Sequence, residues 1–189
     1  MIYDLNGMDG RRIKVHDKVF RPYMSQKQVE DAIQSVADRL NKDFSGTDEI
    51  PMFLCVLNGA IMFTAELMKR TEFPAELVSI KMSSYTGTKS TGTVLNVMGL
   101  TSPVEGRTVL ICEDVVDTGN TIVALKELLV SKGAKDVRIC TMLLKPDVYD
   151  KDEKIDYVGK EIPNDFIVGY GLDYNELGRN LKEIYVIEQ

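Results

Sequence analysis

Val109-Leu110-Ile111-Cys112-Glu113-Asp114-Val115-Val116-Asp117-Thr118-Gly119-Asn120-Thr121 is the stretch on which the fold turns. Thr108 to Cys112 has the unbroken apolar character of a strand buried on both faces of a parallel sheet. Beyond the stretch, Ile122, Leu125, Leu128 and Leu129 recur at helical spacing as far as Val130, and Gly133 is placed to cap the helix end. The Glu113 to Thr121 segment therefore reads as a loop that leaves the carboxyl end of a buried strand and enters a helix, which is where open α/β sheets bind ligands. Thr118-Gly119-Asn120-Thr121 offers backbone N–H groups and two hydroxyls at a helix N-terminus, a ready anion site. Gly119 allows close backbone approach or a positive φ. Neither Gly-Lys-Ser/Thr nor G-x-G-x-x-G occurs in the segment, so a P-loop and a dinucleotide fingerprint are both excluded. Glu113, Asp114 and Asp117 would repel a phosphate unless they have another task. That task is to grip sugar hydroxyls, to hold Mg²⁺ or to accept a proton, or else the acids only solubilise and cap chain ends.

Outward from this stretch, strand-like and helix-like segments alternate. Lys27 to Lys42 has Val29, Ile33, Val36, Ala37 and Leu40 at helical spacing, with Ser25 as N-cap. Met52 to Leu57 is a buried strand, Asn58-Gly59 breaks it, and Ala60 to Lys69 is the next helix. Leu77 to Met82 alternates as a strand. Ser83 to Thr93 is rich in Ser, Thr and Gly and is expected to be a mobile loop, with Val94 to Met98 returning from it as a strand. Val137 to Leu144 follows the helix after the acidic segment, so strand, helix and strand form a right-handed parallel crossover. After Pro146 the pattern weakens: Tyr149 to Lys154 is charged and expected to be exposed, and Phe166 to Tyr170 and Ile184 to Ile187 read as short strands.

The 189 residues suit one α/β domain, and 44% apolar residues suffice for a buried core. A net charge of −6 argues against a nucleic acid or an anionic membrane surface as partner, so a phosphorylated ligand must be held by local dipoles and metal. Met1-Ile2-Tyr3-Asp4 begins no apolar run, so a secretory signal is not expected, and no stretch approaches the roughly 18 apolar residues of a membrane helix. Cys55, Cys112 and Cys140 lie in apolar runs without a C-x-x-C pair, as buried thiols of a reducing cytoplasm do. His16 is the only histidine, an expected surface residue, so acid–base work falls to carboxylates, Lys or Tyr.

The run of four apolar residues, two acids, two apolar residues, Asp-Thr-Gly and a nearby Thr resembles the ribose-5-phosphate motif of the type I phosphoribosyltransferases. The resemblance implies that Glu113 and Asp114 hold the ribose hydroxyls. Val115, Val116 and Asp117 lead into a Thr118, Gly119, Asn120 and Thr121 turn that binds the 5′-phosphate. In the purine branch Asp117 lies near N7 of the base as the catalytic acid–base group. Leu57-Asn58-Gly59-Ala60 with Met62-Phe63 looks like the pyrophosphate-binding turn of the hypoxanthine-guanine branch, although many relatives carry a basic residue where Asn58 stands. Ser84-Tyr85 with Ser90-Thr91-Gly92 resembles that branch's mobile catalytic loop.

Lys145 matches the branch's purine-sensing lysine; its ammonium donates and cannot accept, which favours a 6-oxo group over adenine's 6-amino group. Asp165-Phe166-Ile167-Val168-Gly169-Tyr170-Gly171-Leu172-Asp173-Tyr174-Asn175-Glu176, with Arg179, is similar to the branch's C-terminal hood. That match implies that Phe166 stacks on the purine and the Ile167 backbone meets its exocyclic edge. It gives Asp173 to pyrophosphate-bound Mg²⁺ beside Glu113 and Asp114, and Arg179, with Asn58 and Gly59, to the pyrophosphate.

The expected fold class is thus α/β of the type I phosphoribosyltransferase kind, one domain over residues 1–189. Its central, mainly parallel sheet is flanked by helices, with a small hood from about 145–189 and N-terminal residues. The implied reaction joins 5-phosphoribosyl-1-pyrophosphate to hypoxanthine or guanine with Mg²⁺, in a cytoplasmic homodimer or homotetramer that binds neither nucleic acid nor membrane. A xanthine-preferring relative, or a nucleotide-sensing regulator on the same fold, is the alternative. Orotate- or uracil-specific relatives fit poorly, because Lys145 and the Phe166 to Asp173 set are purine-type.

Overall fold

Alternating short apolar runs and amphipathic segments build two sheets in the structure, a computed structural model that describes residues 12–85, 94–100 and 102–188. Near the N-terminus, β1 (Ile13–Val15) and β2 (Lys18–Met24) form an antiparallel hairpin that the sequence reading did not anticipate. Helix α1 (Gln26–Phe44) starts where expected: the Ser25 hydroxyl accepts from the Gln28 N–H, and the Gln28 side chain accepts from the Ser25 N–H. Val29, Ile33, Val36, Ala37 and Leu40 are fully buried along one face. There follow β3 (Met52–Leu57), α2 (Ile61–Met68), β4 (Glu76–Tyr85), β5 (Val94–Met98), β6 (Thr108–Val116), α3 (Asn120–Ser131), β7 (Asp136–Leu144), β8 (Tyr157–Glu161), β9 (Ile167–Val168) and β10 (Ile184–Ile187).

The larger sheet has the order β5-β4-β3-β6-β7-β8. Its pairs from β4 to β8 are all parallel, and β5 is antiparallel on the β4 edge. The residues of α1 and α2 pack with Phe53, Leu110, Cys112, Cys140 and Met142 on one face, while Ile122, Leu125 and Leu129 of α3 pack with Leu54, Val109, Ile111 and Ile139 on the other. Chain order reverses between β3 and β6, so these neighbours flank the switch point of a doubly wound sheet, where a crevice opens at the carboxyl ends. The smaller sheet, β1-β2-β10-β9, joins both ends of the chain above that crevice. Among the described residues no helix is long and apolar enough to cross a membrane.

Some boundaries differ from expectation. β6 runs through Glu113 and Asp114 to Val116, because its ladder to β7 continues as far as Val116 opposite Leu144. The loop begins only at Asp117. Ser83 to Tyr85 extend β4 opposite Val94 to Asn96 instead of opening a loop; residues 86–93, the rest of that stretch, lie outside the described residues. Strand β8, within the expected hood, belongs to the larger sheet. Tyr149 to Lys154 is not uniformly exposed, since Tyr149 packs against the α3 core. Only Ile167 and Val168 of the expected strand at 166–170 pair as one.

Candidate active site

The carboxyl ends of β3, β6 and β7 deliver most of the expected residues to one crevice. Glu113 is nearly fully buried, and burial with the adjacent Asp114 charge raises its carboxyl well above the ordinary 4.5. Asp114 is also raised from 3.8, chiefly by desolvation, with Asp173 pushing it up further against the opposing pull of the Val115 N–H and Arg179. Its Oδ1 accepts from the Val115 N–H at 2.9 Å. A Cβ built on Gly59 would stand 1.7 Å from Asp114 Oδ2, so only glycine lets the turn after β3 close over this carboxylate. Asn58, joined to Leu57 by a cis peptide bond, is exposed at the mouth.

Asp117 follows β6 and Lys145 follows β7. The Lys145 ammonium donates to Asp117 Oδ2 at 3.1 Å and to Asn164 Oδ1 at 3.4 Å. Lys145 is only 8% exposed, so its charge is held inside by these acceptors instead of snorkelling into water.

The Thr118 to Thr121 turn leads into α3 through Gly119, which adopts φ +79°. Helix α3 has no side-chain cap and no acidic residue in its first turn, which leaves the positive end of its dipole for an external anion. Glu113, Asp114 and Asp117 therefore do not cap this helix. Thr118, Asn120 and Thr121 are exposed around the turn. Behind it, a Cβ on Gly119 would come 2.4 Å from Tyr149 Cε2 and 3.1 Å from Lys151 Cγ, so the β7–β8 connection is folded onto the turn.

The hood meets this end of the sheet at Gly171. Phe166 leaves 46% of its surface open. Its ring is braced by Phe20 at 6.3 Å and by Tyr174, edge-on, at 5.8 Å. The Tyr174 hydroxyl donates to Asp17 Oδ1 in the β1–β2 turn, and His16 in the same turn lies 3.1 Å from the Asn175 carbonyl. Ile167 is buried in β9 against β10. Arg179 forms an ion pair with Asp173 at 2.8 Å and donates to the Gly171 carbonyl, while Asp173 also accepts from the Glu176 N–H. A Cβ on Gly171, at φ +100°, would lie 2.0 Å from the Gly59 carbonyl oxygen, so hood and sheet meet there main chain to main chain.

Among the described residues no three His, Cys, Asp or Glu side chains converge to hold a metal ion unaided. The Asp114 and Asp173 carboxylates are nevertheless oxygen donors of the kind a hard cation takes when ligand oxygens complete its shell. Ser84 and Tyr85 lie at the end of β4. Three participants escaped the sequence reading: Asn164 beside Lys145, Tyr149 behind Gly119, and Tyr174 beside Phe166. The signal for Tyr149 was one aromatic among charges shortly after Lys145; Asn164 and Tyr174 are placed by tertiary contacts alone.

A family model described as the phosphoribosyl transferase domain matches residues 23–175. The hypoxanthine-guanine phosphoribosyltransferase of Lactococcus lactis is 40% identical over 166 residues, 87% of this chain and 89% of the relative. That of Streptococcus thermophilus is 37% identical over 166 residues, 87% of this chain and 91% of the relative. The crystal structure of a hypoxanthine phosphoribosyltransferase from Staphylococcus aureus superposes with a TM-score of 0.79 at 35% identity, covering 89% of this chain and 91% of that one.

Proposed function

The chain belongs to the phosphoribosyltransferase family, and from that premise we infer that it is a purine-salvage enzyme that moves the 5-phosphoribosyl group from phosphoribosyl pyrophosphate to hypoxanthine or guanine. The nucleoside monophosphate and pyrophosphate are the products. The observation that carries the choice of base is the buried Lys145 ammonium 3.1 Å from Asp117 at the end of the paired strands β6 and β7.

A 6-oxopurine stacked on the open face of Phe166 presents its carbonyl to the Lys145 ammonium, a donor with no acceptor capacity. Adenine's 6-amino group would set a donor against the ammonium and leave the N–H not taken by Asp117 and Asn164 without an acceptor. Asp117 receives the N7 proton as the base attacks C1 of the ribose, and its contact with the Lys145 ammonium holds the carboxylate in place. Positive charge grows at C1 as the pyrophosphate leaves, and the carboxylates below the ring stabilise it. Glu113 and Asp114 take the ribose hydroxyls; binding replaces the solvation that burial has removed from them. The Thr118 to Thr121 amides and the α3 dipole hold the 5′-phosphate. The Gly59 turn and Arg179 face the pyrophosphate. Asp114 and Asp173 are the residues that would hold a Mg²⁺ together with pyrophosphate oxygens, and the ion supplies neutralisation of the leaving group's charge. Ser84 and Tyr85, at the end of β4, are assigned to excluding water from the site.

Buried free thiols at Cys55, Cys112 and Cys140 support a reducing, cytoplasmic setting. A homodimer or homotetramer is the assembly that this reading carries, supported by exposed Ile61, Met62 and Leu77 and tested by sedimentation velocity. The activity is tested by incubating the protein with phosphoribosyl pyrophosphate, Mg²⁺ and separate samples of hypoxanthine, guanine, xanthine, adenine, uracil and orotate, with chromatography of the nucleotides. Hypoxanthine and guanine nucleotides are expected; product from none of the bases would overturn the assignment.

A further inference from the structure

The phosphate turn poses an electrostatic problem that its own segment does not solve. From Glu113 to Thr121 there are three carboxylates and no basic side chain, yet the turn is to hold a dianionic 5′-phosphate. The helix dipole amounts to about half a charge and is an incomplete counterweight. A cation, Lys151, sits directly behind the turn. The Lys145 carbonyl accepts from the Val148 and Tyr149 N–H groups, which bends the chain after β7 back towards α3. Tyr149 lays its ring on Gly119, its hydroxyl donates to the Glu153 carbonyl at 2.5 Å, and Glu153 is paired with Lys126 of α3. This anchored loop presses the Lys151 stem onto Gly119, with Cγ 3.1 Å from the position a Cβ would occupy there. The ammonium is three bonds further on and, among the described residues, pairs with Asp150; the Lys151 and Asp150 side chains are 28% and 71% exposed. An exposed ion pair of this kind is worth at most about 1 kcal/mol and exchanges readily for a better anion.

We propose that Lys151 is a phosphate-binding residue of this enzyme: its stem rests on Gly119 and its ammonium swings from Asp150 to the 5′-phosphate of the phosphoribosyl substrate or the nucleotide product. The proposal rests on the placement of the 5′-phosphate at the Thr118 to Thr121 turn. It gives Asp150 a role as well, that of an internal competitor which parks the cation while the turn is empty. It also explains how a turn without a basic residue serves a doubly charged ligand in a chain of net charge −6.

The test compares wild type with Lys151→Met, Lys151→Arg and Asp150→Asn. Calorimetry measures binding of inosine 5′-monophosphate and of inosine, and steady-state kinetics measures KM for phosphoribosyl pyrophosphate and for hypoxanthine separately. Lys151→Met is expected to weaken monophosphate binding and raise the phosphoribosyl pyrophosphate KM by roughly tenfold, the low end for a charge-assisted hydrogen bond. Inosine affinity and the hypoxanthine KM stay unchanged. Lys151→Arg restores most of the loss, and Asp150→Asn shifts monophosphate affinity the opposite way, towards tighter binding. Equal losses for monophosphate and nucleoside would make Lys151 merely structural and overturn the proposal, as would no loss for either. If wild type transferred to no base, the enzymatic assignment would fall, while the calorimetric comparison would still decide the role of Lys151.

Discussion

At the residue scale the proposed selection of the base depends on one ion pair, Lys145 with Asp117. Charge type and position in the chain made both residues legible as candidates. Burial made Lys145 meaningful, and burial cannot be read from a lysine that follows a strand, because most such lysines are solvated. Asn164 was illegible for a related reason: an amide in a hood segment gives no sign that its oxygen will face a lysine 19 positions earlier. Asp117→Asn preserves shape and removes the proposed proton acceptor. Turnover is expected to fall roughly ten- to a thousandfold, by more than the accompanying loss of stability explains, measured by steady-state assay beside thermal denaturation. Lys145→Gln replaces a pure donor with a group that also accepts. The ratio of adenine to hypoxanthine turnover is expected to rise in competition assays, and retained strict preference would remove Lys145 from base selection.

At the element scale, strands with unbroken apolar runs were legible almost to the residue; β3 and β10 coincide with their expected spans. The strands that were missed carry mixed sequences. β2 is Lys-Val-Phe-Arg-Pro-Tyr-Met and β8 is Tyr-Val-Gly-Lys-Glu, and both are defined by their partners more than by their own composition. The acids of β6 misled in the opposite direction: Glu113 and Asp114 look like a strand end, but the backbone ladder continues beneath them. The opposite ends of the strands are held by Glu49, ahead of β3, which accepts from Thr108 at the start of β6 and from Lys135 ahead of β7. These two bonds lower the Glu49 pKa from its ordinary 4.5. A lowered folded-state pKa means stability that is fully present above the ordinary value and lost as pH falls through the folded one. Glu49→Gln is therefore expected to lower the melting temperature at pH 7, and the gap to wild type should shrink as pH drops below about 4.5. Calorimetric scans from pH 7 to pH 3 check this.

At the scale of the whole molecule, a doubly wound sheet and a hood drawn from both chain ends enclose the crevice between them. Alternating strands and helices made the parallel sheet legible, whereas β1 and β2 gave no signal for the hood's other half, because a short hairpin with exposed residues does not stand out. The two bodies touch where Gly171 meets the Gly59 carbonyl. Gly171→Ala adds a methyl at a positive φ and against main chain. It is expected to destabilise the fold by roughly 1–3 kcal/mol and to cut kcat/KM by more than the unfolded fraction explains, as shown by chemical denaturation beside kinetics. The contact has a wider consequence. Because peptide abuts peptide with no rotatable group between, the crevice has a fixed gauge, like a caliper locked by its own frame. Exchanging a side chain on either jaw then retunes which base is gripped while leaving the span from base to departing group as it is.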